Sequence, residues 1–289
     1  MAHVDAIPSG DELVVDDAVA AQLHEIVTER ERRAELARAG VAVSRTVLFF
    51  WGPPGVGKTL AARWIAQRLE LPLVTLDLAA VVSSYLGSSG RNIRSVLQFA
   101  KSGPCVLLLD EFDAVAKRRD DDTDIGELKR IVNVILVELD RWPETSLLVA
   151  ATNHPPQLLD EAVDRRFDRI IEFALPGGAE RRTLLANLKC RDVSAEVVDV
   201  AATIWEGHSH AVILRFWDLC RRRAILNNRT MEDVVVTELV TQFPTSDARN
   251  QVWQVAHDRL GMSNRSIATL AGVSPPTVAS GIRQATEAL

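Results

Sequence analysis

Residues 52–59 read Gly52-Pro53-Pro54-Gly55-Val56-Gly57-Lys58-Thr59, which fits the pattern G-x-x-x-x-G-K-[ST]. This stretch follows the apolar, strand-like run 46–51 (TVLFFW) and opens the helix-like stretch 58–70. The glycines let backbone N–H groups wrap around phosphates, and the positive end of the helix adds to the attraction. We therefore predict a loop that binds the phosphates of ATP, with Lys58 reaching the β- and γ-phosphates and the Thr59 hydroxyl ligating Mg²⁺.

A second apolar run, at 105–110, ends in two carboxylates, Asp110 and Glu111. Asp110 can hold Mg²⁺ through water, and Glu111 can polarise the attacking water as the general base. Alone this pattern is a weak signal, but downstream of a phosphate-binding loop it indicates hydrolysis of the nucleotide. For Asp113, a solvated or supporting role is favoured over a direct one. The predicted nucleotide-binding residues here are Gly52, Pro53, Pro54, Gly55, Val56, Gly57, Lys58, Thr59, Leu60 and Asp110, with Thr59 and Asp110 as the metal ligands.

Short apolar runs alternate with amphipathic stretches as far as Pro176. Runs without polar alternation suit strands covered on both faces, which favours a parallel sheet with crossover helices. We predict an α/β fold of the P-loop NTPase type, with the parallel sheet between helices, followed by an all-α lid and a small helical module. The strand-like runs are 46–51, 73–77, 105–110, 146–151 and 169–173, and the helix-like stretches between them are 58–70, 90–101, 126–141 and 158–164.

Breaks at Pro176-Gly177-Gly178 and at 244–247 divide the chain further. Residues 1–17 are polar and acidic and are expected to form a loosely held tail. Residues 18–39 have apolar positions at helical spacing and end at Gly40, a reasonable C-cap. The predicted segments are the tail at 1–17, the α/β nucleotide-binding domain at 18–176, the lid at 177–244 with helices at 179–190, 194–205, 208–226 and 231–242, and the helical module at 245–289.

The bulk composition is that of an ordinary globular protein, with 47% apolar and 25% charged residues. The formal net charge is −6, so no global basic field draws the molecule onto nucleic acid or an anionic membrane. Cys105, Cys190 and Cys220 form no C-x-x-C pair, and the N-terminus lacks a signal-peptide pattern, which together predict a thiol-reduced, cytoplasmic protein. No apolar run reaches the roughly 18–20 residues that a membrane helix needs, so no membrane partner is expected.

Taken in order, the motifs resemble those of the AAA+ ATPase superfamily, specifically its AAA-proper branch of ring-forming remodellers. The resemblance covers residues 18–242. Ala150-Ala151-Thr152-Asn153 ends the fourth predicted strand, as the family's sensor-1 segment does. This resemblance implies that Asn153 hydrogen-bonds the γ-phosphate or the lytic water. The alternative is that Asn153 caps the turn before Pro155-Pro156.

Residues 164–169, Asp164-Arg165-Arg166-Phe167-Asp168-Arg169, are similar to the family's R-F-D-R segment. The resemblance implies that Arg166 and Arg169 reach from one subunit into the ATP site of its neighbour. A guanidinium supplied in this way stabilises charge on the transferred phosphoryl group and raises the rate by roughly 10³–10⁵. It also implies a homo-oligomeric ring, with a hexamer as one option. The alternative is a solvated basic turn.

Tyr85-Leu86-Gly87 lies where the family has its first pore loop, with the pattern aromatic–hydrophobic–glycine. The resemblance implies that Tyr85 grips a threaded polypeptide in the centre of the ring. The alternative is a tyrosine that packs at the base of a loop. The charged stretch 117–126 lies where relatives have a second pore-facing loop, and a merely solvated loop is the alternative there.

The predicted lid resembles the family's C-terminal helical lid. Gly207-His208-Ser209-His210-Ala211 stands where many relatives have a small-residue turn before a helix that contacts the nucleotide. The usual Gly-Ala-Asp of the family is not kept here, because His210 and Val212 replace its outer residues. The resemblance therefore implies a contact on the adenine side of the nucleotide for Ala211 only. The run 221–223 is read as a solvated helix face rather than as a nucleotide contact.

Residues 264–283 (NRSIATLAGVSPPTVASGIR) resemble a helix-turn-helix, with Gly272 at the turn and Ser274 as the cap of the second helix. Residues 246–289 contain four arginines and three carboxylates, which gives a net charge of only +1. Few phosphate contacts are therefore available. Use of this module in protein contacts is at least as well supported as DNA binding.

These observations leave three functions open. The first is an oligomeric, ATP-driven remodeller of a partner protein, favoured by Tyr85-Leu86-Gly87 and by the R-F-D-R segment. The second is a DNA-directed AAA+ regulator that uses the C-terminal module. The third is a nucleotide-gated switch that serves one dedicated protein partner.

Overall fold

The computed structural model describes residues 2–5, 12–41, 47–84, 89–116, 125–158, 165–188, 192–243 and 248–287. The chain divides into two compact units, residues 1–174 and residues 175–289. The first unit corresponds to the predicted tail and nucleotide-binding domain. The second contains both the predicted lid and the predicted C-terminal module. Within the described residues, no helix has the length and apolar character needed to span a bilayer.

The first unit is built on a sheet that has six strands in the described part of the chain. The strands are β1 (Ala2–Asp5), β2 (Val47–Trp51), β3 (Leu73–Asp77), β4 (Val106–Asp110), β5 (Leu147–Thr152) and β6 (Arg169–Glu172). Their order is β1-β3-β4-β5-β2-β6, and all pairs except β1–β3 are parallel. The predicted parallel α/β fold is therefore confirmed.

Helices cover both faces of this sheet, which is why its central strands are apolar on both sides. Leu107 and Leu109 face one core, and Val106 and Leu108 face the other. The helices are α1 (Asp17–Glu31), α2 (Arg33–Arg38), α3 (Lys58–Arg68), α4 (Leu78–Ser84), α5 (Ser89–Lys101), α6 (Asp113–Ala116) and α7 (Ile125–Leu139), with a 3₁₀ turn at Pro156–Leu158.

The N-terminal region differs from the predicted loosely held tail. Residues 2–5 form the edge strand β1, which pairs antiparallel with β3. Val14 is buried, and the Asp16 carboxylate caps α1 by accepting a hydrogen bond from the Val19 N–H at 2.8 Å. Polarity alone predicts a tail here, but residues 2–5 pair with backbone groups of β3 that would otherwise lie at an open sheet edge. The helix predicted over 18–39 is interrupted at Arg32.

The second unit is helical throughout its described residues. Its helices are α8 (Gly178–Asn187), α9 (Ala195–Ile204), α10 (His210–Leu226), α11 (Met231–Gln242), α12 (Arg249–Leu260), α13 (Asn264–Ala271) and α14 (Pro275–Glu287). Arg259 of α12 forms an ion pair with Glu196 of α9, so the final helices contact the lid helices rather than forming a separate body.

The last three helices pack closely on one another. A Cβ at Gly281 of α14 would lie 2.8 Å from the Trp253 ring of α12, so only glycine allows this approach. Gly272, which has φ +67°, makes the turn between α13 and α14. Ser274 accepts a hydrogen bond from the Thr277 N–H at 3.4 Å, in the first turn of α14.

Candidate active site

The phosphate-binding loop lies between β2 and α3, and its shape depends on glycine. Gly52 has φ +148°, and a Cβ there would lie 2.0 Å from the Phe173 carbonyl oxygen. Gly57 has φ +103° and forms the N-cap of α3 without a side-chain capping bond. The loop therefore presents the first amides of α3 without a side-chain cap, as an anion-binding site at a helix N-terminus requires.

Lys58 is the first residue of α3, and its side chain is buried although it is ionisable. Its Nζ donates to the carbonyl oxygens of Gly52 at 2.7 Å and Pro53 at 2.9 Å, and to Asn153 Oδ1 at 3.0 Å. Burial lowers the pKa of Lys58 to about 8, although Asp110 and Asp113 act in the opposite direction. Three neutral oxygens therefore hold the Lys58 ammonium at the loop. The phosphate oxygens of a bound nucleotide could take the place of these neutral oxygens.

Thr59 and Asp110 meet next to this loop. Thr59 Oγ1 donates to Asp110 Oδ2 at 3.1 Å. Hydroxyl and carboxylate oxygens are the ligands that Mg²⁺ prefers, and Mg²⁺ is commonly held by one or two carboxylates together with substrate phosphates and water. Among the described residues, no group of three or more His, Cys, Asp or Glu could hold a metal by itself. With one hydroxyl and one carboxylate oxygen, Thr59 and Asp110 fit a Mg²⁺ ion that a bound nucleotide helps to coordinate.

Glu111 occupies an unusual backbone conformation directly after β4. Its φ is +54°, which is rare for a residue other than glycine, and its N–H donates to Asp110 Oδ1 at 3.0 Å. Desolvation raises the pKa of Glu111, and the charges of Asp77, Asp110 and Asp113 add to the effect. Strained residues of this kind cluster at functional sites, and a raised pKa makes a carboxylate a stronger base.

Asp113 fixes the end of β5. Its Oδ1 accepts a hydrogen bond from Thr152 Oγ1 at 2.7 Å and from the Asn153 N–H at 3.4 Å, and its Oδ2 lies 3.7 Å from His154 Nε2. These contacts give Asp113 a supporting role, one of the two roles favoured for it from the sequence. No sequence spacing signals this pairing, because it joins the end of β5 to the first residue of α6, 39 residues away in sequence.

The two arginines of the R-F-D-R segment are placed differently. Arg166 Nε donates to Asp140 Oδ1 at 2.9 Å; the Arg166 side chain is half-buried and that of Asp140 is exposed. Arg169 contacts Glu25 and Glu29 of α1 through both terminal nitrogens. The role of each as an arginine supplied to a neighbouring subunit stays a prediction.

For the other predicted site residues, a place at this site stays a prediction. Tyr85, Leu86 and Gly87 of the first predicted pore loop lie outside the described residues, as do residues 117–124 of the second. Ala211 belongs to the second unit, where it is half-buried in the first turn of α10. Its contact with the adenine side of a nucleotide stays a prediction.

One neighbour of the loop was missed in the sequence. A Cβ at Gly57 would lie 3.8 Å from Leu13 Cδ1, so this side chain lies beside the phosphate-binding loop. Leu13 lies within residues 1–17, for which the sequence predicts an acidic tail. The apolar triplet Leu13-Val14-Val15 within that tail was the available signal, because three consecutive apolar residues are uncommon in a solvated segment.

Comparison with known proteins identifies the first unit. Residues 48–175 match the family described as "ATPase family associated with various cellular activities (AAA)". The chain is 40% identical over 205 residues to an uncharacterized AAA family ATPase of Sinorhizobium fredii, covering 71% of this chain and 61% of that protein. It is 36% identical over 168 residues to the ATP-dependent zinc metalloprotease FtsH 3 of Sphaerobacter thermophilus, covering 57% of this chain and 34% of the relative.

A solved structure supports the fold independently. The AAA domain of FIGL-1, crystallised in complex with ADP, superposes with a TM-score of 0.64 over 78% of this chain and 77% of that one, at 24% identity. The chain spans 61% of the length of the rhizobial relative and 34% of that of FtsH 3. The phosphate-binding loop, the Asp110-Glu111 pair and Asn153 all lie within the matched range. Residues 48–175 are thus an AAA ATPase domain.

Proposed function

We propose that this protein binds ATP with Mg²⁺ and hydrolyses it to ADP and phosphate. The observation that carries the proposal is the contact between Lys58 and Asn153, next to the contact between Thr59 and Asp110. These contacts gather groups from the carboxyl ends of β2, β4 and β5 at one edge of the sheet, which is where open α/β sheets bind their ligands. The AAA family match over the same residues supports it.

Each group has a distinct role in this proposal. The amides of the loop and Lys58 bind the β- and γ-phosphates. Mg²⁺, held by Thr59 and Asp110, would neutralise charge on the phosphate oxygens. Glu111 accepts a proton from the water that attacks the γ-phosphorus, and Asn153 orients that water.

We further propose that the protein works as a homo-oligomeric ring that remodels a partner protein. Arg166, in the turn before β6, would complete the ATP site of the neighbouring subunit, as the family resemblance implies. Tyr85, in the Tyr85-Leu86-Gly87 segment, would contact the partner polypeptide. The similarity to an ATP-dependent protease, FtsH 3, supports a protein substrate. The free, buried thiols of Cys105 and Cys220 are compatible with residence in the reducing cytoplasm.

The test uses Glu111→Gln and Lys58→Ala in the full chain. Glu111→Gln should bind ATP and assemble but hydrolyse it at least about 100-fold more slowly, since general-base catalysis contributes 10²–10⁴-fold. Lys58→Ala should lose nucleotide affinity. Affinity capture with Glu111→Gln plus ATP, compared with Lys58→Ala plus ATP, should retain a partner protein only in the first case. Near wild-type hydrolysis by Glu111→Gln would contradict the assignment of the base.

A DNA-directed regulator is the second candidate. It is favoured by the pair of helices α13 and α14, joined at Gly272, because this arrangement resembles a DNA-binding helix-turn-helix. The exposed side of α14 carries Thr277, Ser280 and Arg283. The low net charge of this region counts against strong phosphate binding.

A further inference from the structure

Arg169, the second arginine of the R-F-D-R segment, is bound within its own subunit. Its Nη1 donates to Glu25 Oε2 at 2.6 Å, and its Nη2 donates to Glu29 Oε1 at 2.5 Å. Glu25 and Glu29 are four residues apart on α1, so both carboxylates lie on the same face of that helix. The planar guanidinium is thereby held from two directions, and only 23% of the Arg169 side chain is exposed.

The pairing shifts the pKa of Arg169 and of Glu25 in opposite directions. The hydrogen bond to Glu25 raises the pKa of Arg169, although desolvation opposes the shift. The hydrogen bond from Arg169 lowers the pKa of Glu25. Charge-assisted hydrogen bonds with both carboxylates would have to break before Arg169 could extend toward another subunit.

The residues between the two arginines are also anchored in their own subunit. The Phe167 ring lies 4.8 Å from the Phe49 ring of β2, centre to centre. Asp168 Oδ2 accepts a hydrogen bond from the Val47 N–H at 3.0 Å, and the Asp168 N–H donates to the Val47 carbonyl at 2.8 Å. The segment is therefore anchored at 167–169, whereas Arg166, in the turn before it, contacts the exposed carboxylate of Asp140.

Helix α1 links this anchor to the phosphate-binding loop. Its buried residues Leu23 and Ile26 share a core with Ala62 and Ile65 of α3, the helix that begins at Lys58. Because interiors of this kind are closely packed, a displacement of α1 is transmitted to its neighbours. Arg169 thus connects the arginine-bearing turn to the same helix layer that supports the nucleotide site.

We propose that Arg169 is a positioning residue: held by Glu25 and Glu29, it fixes the turn that presents Arg166, and Arg166 alone is supplied to the neighbouring subunit. This inference rests on the proposed function, since such an arginine has a role only in an oligomer that hydrolyses ATP. It replaces the expectation that both arginines enter the neighbouring site.

The experiment compares the double variant Glu25→Gln/Glu29→Gln with Arg169→Ala. The control is Glu31→Gln/Glu35→Gln, which removes two exposed carboxylates from the end of α1 and from α2. We measure kcat, KM for ATP and the oligomeric state of each full-length variant. The Glu25/Glu29 variant should lose kcat by roughly 10- to 100-fold, as misplacement of a catalytic group does, with KM within about twofold. The control should match wild type.

Two further readouts separate positioning from general destabilisation. Introduced into Arg166→Ala, the Glu25/Glu29 substitutions should cause no further loss of kcat, because the group that they position is already gone. The single variant Glu25→Gln, which removes the more exposed carboxylate, should show a smaller loss of kcat with a wild-type thermal unfolding curve.

The inference would be overturned if Glu25→Gln/Glu29→Gln kept the wild-type kcat while Arg169→Ala was inactive. In that case Arg169 would be needed without its two carboxylate partners, and it would be acting directly. An additional loss in the Arg166→Ala background would also overturn it. A wild-type chain that hydrolyses no ATP would instead contradict the proposed function, and the inference would fail with it.

Discussion

Thr152 Oγ1 donates a hydrogen bond to Asp113 Oδ1 at 2.7 Å, and so joins the end of β5 to the first residue of α6. Thr152 is almost completely buried, with 1% of its surface exposed. The next residue, Asn153, is the proposed water-orienting group, and its N–H donates to the same carboxylate oxygen. One side chain therefore sets the position of the strand end on which Asn153 lies.

Asp113→Ala should destabilise the protein and slow hydrolysis together. The buried Thr152 hydroxyl would lose its acceptor, which costs about 1–3 kcal/mol in the free energy of unfolding. The rate should fall because Asn153 loses its support. Urea denaturation and steady-state kinetics measure the two effects. Asp113→Asn, which keeps an oxygen acceptor, is the control and should lie closer to wild type; equal losses in both variants would show that the charge matters rather than the hydrogen bond.

ATP affinity should depend on pH above about 8. The pKa of Lys58 is lowered to about 8 by burial, so the free protein loses this proton as the pH rises through 8. Nucleotide phosphates are already ionised there and favour the charged ammonium, since their second pKa is about 6. Binding should then restore the proton, and affinity should fall by up to about tenfold per pH unit between 8 and 10.

Calorimetry at pH 9 measures this effect. Titrations with ATP in two buffers of different ionisation enthalpy should reveal uptake of close to one proton for each nucleotide bound. The same titrations at pH 7, where Lys58 is protonated before binding, provide the control and should show no uptake by this group. Equal proton uptake at both pH values would mean that the lysine keeps its ordinary pKa.

Arg166→Ala should abolish most ATPase activity while leaving the affinity of the isolated subunit for ATP nearly intact. The reason is that the proposed contact is made with the neighbour's nucleotide. Mixing Arg166→Ala with Glu111→Gln should restore part of the activity, because each subunit supplies the group that the other lacks. Arg165→Ala, which removes the exposed adjacent arginine, is the matched control and should remain active. Activity that is independent of protein concentration in a demonstrated monomer would exclude this arrangement.

Duplex DNA should bind weakly and without sequence selectivity. Because α12, α13 and α14 carry few net positive charges, we expect dissociation constants in the micromolar range or weaker at about 150 mM salt. Fluorescence anisotropy with the full chain tests this, with Arg283→Ala compared with Arg222→Ala, an exposed arginine on α10. Nanomolar, sequence-selective binding that is lost only in Arg283→Ala would make the DNA-directed regulator the leading function.

The sequence alone determined the main fold and the centre of the candidate site. Residues 52–59 impose local backbone conformations that glycine permits, and the uniformly apolar runs at 105–110 and 146–151 require burial on both faces. These are constraints that short stretches of sequence express by themselves. The meeting of Lys58 with Asn153 then follows from parallel strands, which bring their carboxyl ends to the same edge.

Only the tertiary structure decided which distant groups pair. The edge strand at 2–5, the support of β5 by Asp113 and the contacts of Arg169 with Glu25 and Glu29 each join residues far apart in sequence. An arginine in a basic turn has the same local pattern whether it faces a neighbouring subunit or a helix of its own chain. Its partner depends on where α1 packs, and that position is set by the shared core of α1, α3 and the sheet rather than by the residues around Arg169.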